Sequence, residues 1–220
     1  MPVERKSPDQ GKFNKAAELP YQLRIEDFQS AMQDVYDFLF DVNTFLIDRG
    51  LERLDDMLRP ASLSGMLSNM LTASLAKHSR TLVANAHHNG HPDLLLKGQH
   101  PNNDVKAGEH GVEIKATKNR GGQVDTHGAR NQWMCVFVYG TDSETEPAVE
   151  RKPLTFVAVY LNKVGVDDFR RNERGDLGTR TSTLHAAGIA KLRENWIYLD
   201  QAPSTRRAAS RGRAARATSK

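Results

Sequence analysis

Two stretches of this chain, residues 133–139 and 154–161, are apolar throughout apart from Thr155. Runs of that kind belong to strands covered on both faces, so the chain has to build a sheet and pack other layers against it. Helical patterns supply those layers. From Ile25 the apolar residues Phe28, Met32, Val35, Leu39, Val42, Phe45 and Leu46 recur at spacings of three and four, which predicts one long core-facing helix ending before Gly50. Leu63, Met66, Leu67, Met70, Leu71 and Leu75 mark a second helix. Ser62 is expected as its N-cap, and Gly65, Ala73 and Ala76 permit close packing.

Beyond Asn89 and Gly90 the pattern turns from helical to extended. Leu94, Leu95 and Leu96 read as a short buried strand, and residues 112–116 alternate apolar with charged, as in a strand with one packed face. Short helices are expected over 166–171 and 186–194, and a closing strand or core anchor over 196–199. The expected fold class is α/β (α+β), a central mixed sheet flanked by helices. Its expected divisions are a flexible N-terminus over 1–20, one domain over 21–202 with helical (21–88) and sheet (89–202) parts, and a disordered basic tail over 203–220.

Composition removes several classes of function. No apolar run approaches the roughly 20 residues that cross a bilayer, and residues 1–15 lack the apolar segment of a secretory leader, so neither membrane association nor export is expected. Cys135 is the only cysteine, which excludes a disulfide framework within the monomer and a multi-cysteine zinc site, and implies a reducing, cytoplasmic setting. The net charge of +4 is unevenly placed: residues 203–220 hold six cations and no acid, leaving −2 on the body. Any nucleic-acid argument for the body must therefore rest on local residues. The tail reads as a phosphate-contacting arm or a solubilising terminus.

The informative constellation is Pro92 and Asp93, then nineteen intervening residues, then Glu113, Ile114 and Lys115. In a strand, Glu113 and Lys115 share one face while Val112, Ile114 and Ala116 share the other. Two charges on a buried strand need a metal, a partner or water. An aspartate on a neighbouring strand can approach Glu113, and paired carboxylates of that kind form oxygen-ligand Mg²⁺ sites. A lysine beside the ion could orient or deprotonate a water, or stabilise charge developing on a phosphate. Asp104, with eight residues between it and Glu113, is an alternative metal aspartate or simply a turn residue. The competing structural reading of Glu113 and Lys115 is a solvated strand face with a cross-strand ion pair.

These residues resemble the PD-(D/E)xK nuclease superfamily, with the similarity best to type II restriction endonucleases. The resemblance implies a restriction-endonuclease-like core and Mg²⁺-dependent hydrolysis of a DNA phosphodiester to 3′-hydroxyl and 5′-phosphate ends. Pro92 and Asp93 match the PD of the motif, Glu113 its acidic position and Lys115 its lysine. Asp93, Glu113 or, in place of Asp93, Asp104 would hold the metal.

Residues 118–132, between two expected strands, are rich in side chains that read DNA. Arg pairs with guanine, Asn or Gln with adenine and Asp with cytosine, while Lys and Arg also serve phosphates. Loops in this position carry base contacts in some restriction enzymes that the chain resembles. Lys118, Asn119, Arg120, Asp125, His127, Arg130 and Asn131 are the expected DNA-binding set, against a plain hydrophilic loop turned by Gly121 and Gly122. His87, His88, His91, His100 and His110 cluster in sequence, but their spacing fits no familiar zinc site, and phosphate or backbone hydrogen bonding is the expected use. Cys135, Trp133 and Trp196 read as core residues. Arg180, Thr181, Ser182, Thr183 and His185 precede a helix, with Ser182 or Thr183 expected as its cap or as a phosphate ligand.

The functional expectation is a homodimeric, Mg²⁺-dependent restriction endonuclease acting on double-stranded DNA, with no organic cofactor. One site cuts one strand, so a two-fold pair is needed to cut both, and the long first helix is the expected dimerisation element. The alternatives are a structure-specific repair or junction nuclease of the same superfamily and a non-catalytic DNA-binding protein.

Overall fold

The computed structural model describes residues 3–171 and 181–200. Helix α1 spans Ile25–Asp48, the single turn α2 Leu54–Met57 and α3 Pro60–His78. The strands are β1 (Leu82–Ala84), β2 (Leu94–Leu96), β3 (Val112–Thr117), β4 (Asp125–Thr126), β5 (Gln132–Gly140), β6 (Thr155–Val164), β7 (Phe169–Arg171), β8 (Ser182–Leu184) and β9 (Trp196–Leu199), with α4 (Ala186–Glu194) before the last. Six strands form one mixed sheet in the order β1-β2-β3-β5-β6-β9, in which only β3 and β5 run parallel. Strands β4, β8 and β7 form a small antiparallel sheet. Among the described residues no helix is long and apolar enough to cross a membrane.

The apolar runs behave as their composition requires. Strands β5 and β6 lie centrally, with Cys135, Phe137 and Tyr139 facing a core built with α1 and α3, and Met134, Val136 and Val138 facing one built with α4 and Leu184. The two faces are buried by different layers, so neither can accept a charge without a partner. The stripe of α1 is used within the chain itself: Phe28, Met32 and Val35 are fully buried, and the Tyr36 hydroxyl accepts Phe156 N–H at 2.9 Å.

Several expectations are corrected here. Within residues 1–20, expected to be flexible, Phe13 and Asn14 lie against β9: Phe13 pairs with Tyr198 and is 6 % exposed, and Asn14 N–H donates to Ile197 O at 2.9 Å. That covers a sheet edge that would otherwise present bare backbone groups. Strand β1 lies inside the stretch expected to be helical, because Ser79 ends α3 and Leu82 pairs with Leu96. Helix α3 starts three residues earlier than expected, with Pro60 in its first turn and Arg59 at the cap, so Ser62 is helical. Phe45 is 56 % exposed, not core, and lies under the Arg49 guanidinium. The expected helix at 166–171 is one short turn, Val166–Asp168, followed by β7. Here Gly188 lets α4 press on the backbone of Asp168, where a Cβ would come within 2.4 Å of its carbonyl oxygen. Ser182 and Thr183 belong to β8, and the cap of α4 is His185, whose Nδ1 accepts Gly188 N–H at 3.1 Å. Arg180 and the basic tail over 203–220 lie outside the described residues.

A cleft at the open edge of strand β3

Strand β2 is three residues long and its register with β3 contains one pair, Leu94 with Val112. One step along that antiparallel register sets Asp93 opposite Glu113, on the same face of the sheet. Gly111 makes the approach possible, since a Cβ there would lie 2.0 Å from Leu94 O and 2.5 Å from Pro92 Cγ. Beyond this point β3, paired with β5 on its other side, has no strand on its β2 side. Its outward N–H groups are taken by side chains instead: Ile114 N–H donates to Asp93 Oδ2 at 2.7 Å and Ala116 N–H to Ser68 Oγ at 2.9 Å.

The parallel register pairs Glu113 with Met134 and Lys115 with Val136, so both charged side chains lie on the α4 side of the sheet, while Ile114 and Ala116 pack toward α1 and α3. Helix α4 packs over β6 and leaves β3 open. The result is a cleft of about 930 Å³. Its walls are the polar face of α3 (Ser64, Ser68, Asn69, Thr72), the segment His91 to Asp93, the end of β3 with Lys115, and the loop carrying Asn119, Gln123, Asp125 and His127.

Three of the expected site residues meet here. Lys115 Nζ donates to Glu113 Oε1 at 2.5 Å and stands 3.8 Å from Asp93 Oδ2. Glu113 is only 1 % exposed, which is not the solvated strand face of the competing reading. Burial works to raise the Glu113 pKa, but a hydrogen bond from His91 and the charge of Lys115 outweigh it and hold the group at about 2. Asp93 goes the other way: burial, then the charge of Glu113, push it above the ordinary carboxylate value. Lys115 is desolvated, yet the two carboxylates raise its pKa, so it stands as a cation. Two carboxylates and one amine, from Asp93, Glu113 and Lys115, thus share the end of the cleft.

The other expected residues are dispersed. Asp104 is exposed and accepts from His87 Nδ1 at 2.6 Å, and it does not line the cleft. Of the loop set, Asn119, Asp125 and His127 line the cleft. Asn119 also shapes its own turn, accepting Gly121 N–H at 2.9 Å, and Gly122 takes a φ of +77° there. Asp125 accepts the Thr183 hydroxyl. Lys118 and Arg120 are exposed at the tip of that turn, whereas Arg130 and Asn131 lie before β5 outside the cleft lining, Asn131 accepting Val166 N–H at 3.1 Å.

Sequence reasoning missed two contributions. Ser64, Ser68 and Thr72 recur every four residues on α3, a stripe that was legible as a polar face but carried no sign of what it would border. His91, weighed only within the histidine cluster, faces Glu113 Oε2 at 3.2 Å. His87 and His91 thus both bind carboxylates. Compared with family models, with curated proteins and with solved structures, the chain matches none.

Proposed function

We propose that this chain is a cytoplasmic, Mg²⁺-dependent endodeoxyribonuclease of the restriction type, built on a restriction-endonuclease-like core and acting as a homodimer on double-stranded DNA. The observation that carries this reading is the convergence of Asp93, Glu113 and Lys115 in one open cleft. Among the described residues no group of three or more His, Cys, Asp and Glu side chains forms a ready metal cluster. The donor set nevertheless fits Mg²⁺, a hard cation held by one or two carboxylates with water and substrate phosphate oxygens completing its shell. Burial first, and then the charge of Glu113, raise the Asp93 pKa, and an ion held between the two carboxylates would offset the second of these. Asp93 and Glu113 would hold it, and bound Mg²⁺ would supply Lewis-acid polarisation of the scissile phosphate.

The protein's own groups do the rest. Lys115 is held protonated by its two acidic neighbours, so its part is to donate: it orients the attacking water in line with phosphorus and meets charge developing on a non-bridging oxygen. Asp93 is anchored through Ile114 N–H to the sheet itself, which keeps its carboxylate in register with Glu113. The side chains of Asn119, Asp125 and His127 stand on the far wall, where base edges or phosphates of a bound duplex would pass. Hydrolysis would leave a 3′-hydroxyl and a 5′-phosphate, and a two-fold pair of sites would sever both strands.

Incubation of the purified protein with plasmid and phage DNA in Mg²⁺, followed by sequencing of the fragment ends, tests this directly. Discrete fragments that vanish in EDTA and in Asp93→Ala, Glu113→Gln and Lys115→Ala, but persist in Asp104→Ala, are expected. Cutting restricted to branches or ends would assign the same site to a repair or junction nuclease. Salt-sensitive DNA binding with no Mg²⁺-dependent products would leave a binding protein only.

A further inference from the structure

His91 has no place in the mechanism above, yet its backbone is bonded at both its N–H and its carbonyl. Its backbone N–H donates to Lys106 O at 3.1 Å, and its carbonyl accepts Gly108 N–H at 2.7 Å. Asn85 Nδ2 binds the flanking carbonyls of Pro92 at 3.1 Å and Val105 at 2.8 Å. Gly90 lets the two segments touch, since a Cβ there would meet Val105 O at 2.5 Å. The imidazole therefore projects from a braced loop into the wall of the cleft.

Its partner is Glu113. Both oxygens of that buried carboxylate are occupied, Oε1 by Lys115 Nζ at 2.5 Å and Oε2 by His91 Nδ1 at 3.2 Å. An ionised carboxylate can only accept, so Nδ1 carries the hydrogen. The two donors differ in kind. Lys115 sits on a flexible stem, 24 % exposed at its side chain, and has to serve the substrate, whereas His91 is anchored by backbone on both sides.

We propose that His91 is a positioning residue: its Nδ1–H holds the Glu113 carboxylate in place for the cation while Lys115 turns from Glu113 to the phosphate. The role rests on the nuclease reading and adds to it a residue outside the PD-(D/E)xK pattern. Removing the donor leaves a buried oxygen unpaired and the carboxylate free to rotate, the kind of loss that lowers metal affinity about 10–100-fold in well-studied sites.

The test uses the full chain with His91→Ala, His91→Asn and His91→Gln, each confirmed as folded by its circular dichroism spectrum. Mn²⁺ and Mg²⁺ affinities are measured by calorimetry without DNA, and kcat and KM are measured on a plasmid that the wild type cuts. Asn places an amide N–H near the Nδ1 position, whereas Gln places one near Nε2. His91→Ala is expected to weaken both ions about 10–100-fold and to lower kcat with KM for DNA unchanged, with His91→Asn restoring affinity to within about threefold and His91→Gln failing to. Wild-type affinity in His91→Ala, or no rescue by Asn, overturns the proposal. Loss of Mn²⁺ with Mg²⁺ retained also overturns it, because the imidazole would then be a ligand that favours the softer ion. A wild type that binds neither ion and cuts nothing removes the nuclease reading, and with it this role.

Discussion

Asp93 Oδ2 accepts the backbone N–H of Ile114 at 2.7 Å, so a carboxylate stands where a neighbouring strand would have placed a carbonyl. Two residues on, Ser68 Oγ does the same for Ala116. Strand β3 thus keeps an open edge without orphaned donors, and that edge is what makes a cleft beside a buried sheet physically possible. The same bond ties the orientation of the acid to the register of the strand carrying Glu113 and Lys115.

The two carboxylates have opposite effects on the fold. Burial and the charge of Glu113 disfavour ionised Asp93, so its charge costs stability once pH rises above its raised pKa. Asp93→Asn is expected to raise the melting temperature at pH 7 in EDTA, while Glu113→Gln, which strips Lys115 of its nearest partner, lowers stability by about 3 kcal/mol. Thermal unfolding of both variants decides it; shifts of the same sign would contradict this electrostatic account.

Acid dependence follows from Glu113. Its pKa falls from the ordinary 4.5 to about 2, so the stability it contributes is present above about 4.5 and disappears as pH falls toward about 2. Urea unfolding between these limits is expected to show the gap between wild type and Glu113→Gln narrowing steadily as pH drops. A gap that stays constant would mean that Glu113 is not held ionised in the native state.

Ser68→Ala leaves the Ala116 N–H unpaired at the edge of β3. A cost of about 1–3 kcal/mol is expected. Ser62→Ala, at an exposed position of α3 that caps nothing, is expected to stay within about 0.5 kcal/mol. Denaturant midpoints for the pair check the contrast, and faster hydrogen exchange confined to β3 in Ser68→Ala would locate it.

A separate buried network ties α1 and α2 to the segment before β6. Arg53 Nη2 donates to Asp55 Oδ2 at 2.7 Å and Arg53 Nη1 to Arg151 O at 2.6 Å, while Asn43 Nδ2 donates to Asp55 Oδ1 at 2.8 Å. Arg53→Met is expected to cost about 3–5 kcal/mol because Asp55 stays buried with its charge uncompensated. Adding Asp55→Leu is expected to recover part of that loss, read as a non-additive double-mutant cycle in urea unfolding.

Strand β5, strand β6 and helix α1 were legible because their patterns are long: seven or more residues of one period outweigh any local ambiguity. Short elements were not. Leu82, Val83 and Ala84 pair only because Leu94, Leu95 and Leu96 return beside them, and Phe169 to Arg171 extends only because Ser182 to Leu184 lies alongside. The cap of α4 shows the same limit: Ser182 and Thr183 have the better capping chemistry, but pairing with Arg171 and Arg170 claims them for a strand and leaves His185 at the helix start.

The candidate site divides along that line. Periodicity by itself put Glu113 and Lys115 on one face of a strand, because alternation is a property of the backbone and needs no partner. The choice between Asp93 and Asp104 belonged to the tertiary structure. A single antiparallel pair, Leu94 with Val112, decides which acid comes opposite Glu113. His91 and the serines of α3 enter the site by the same means, since their distances from Glu113 are set by packing between segments far apart in the chain.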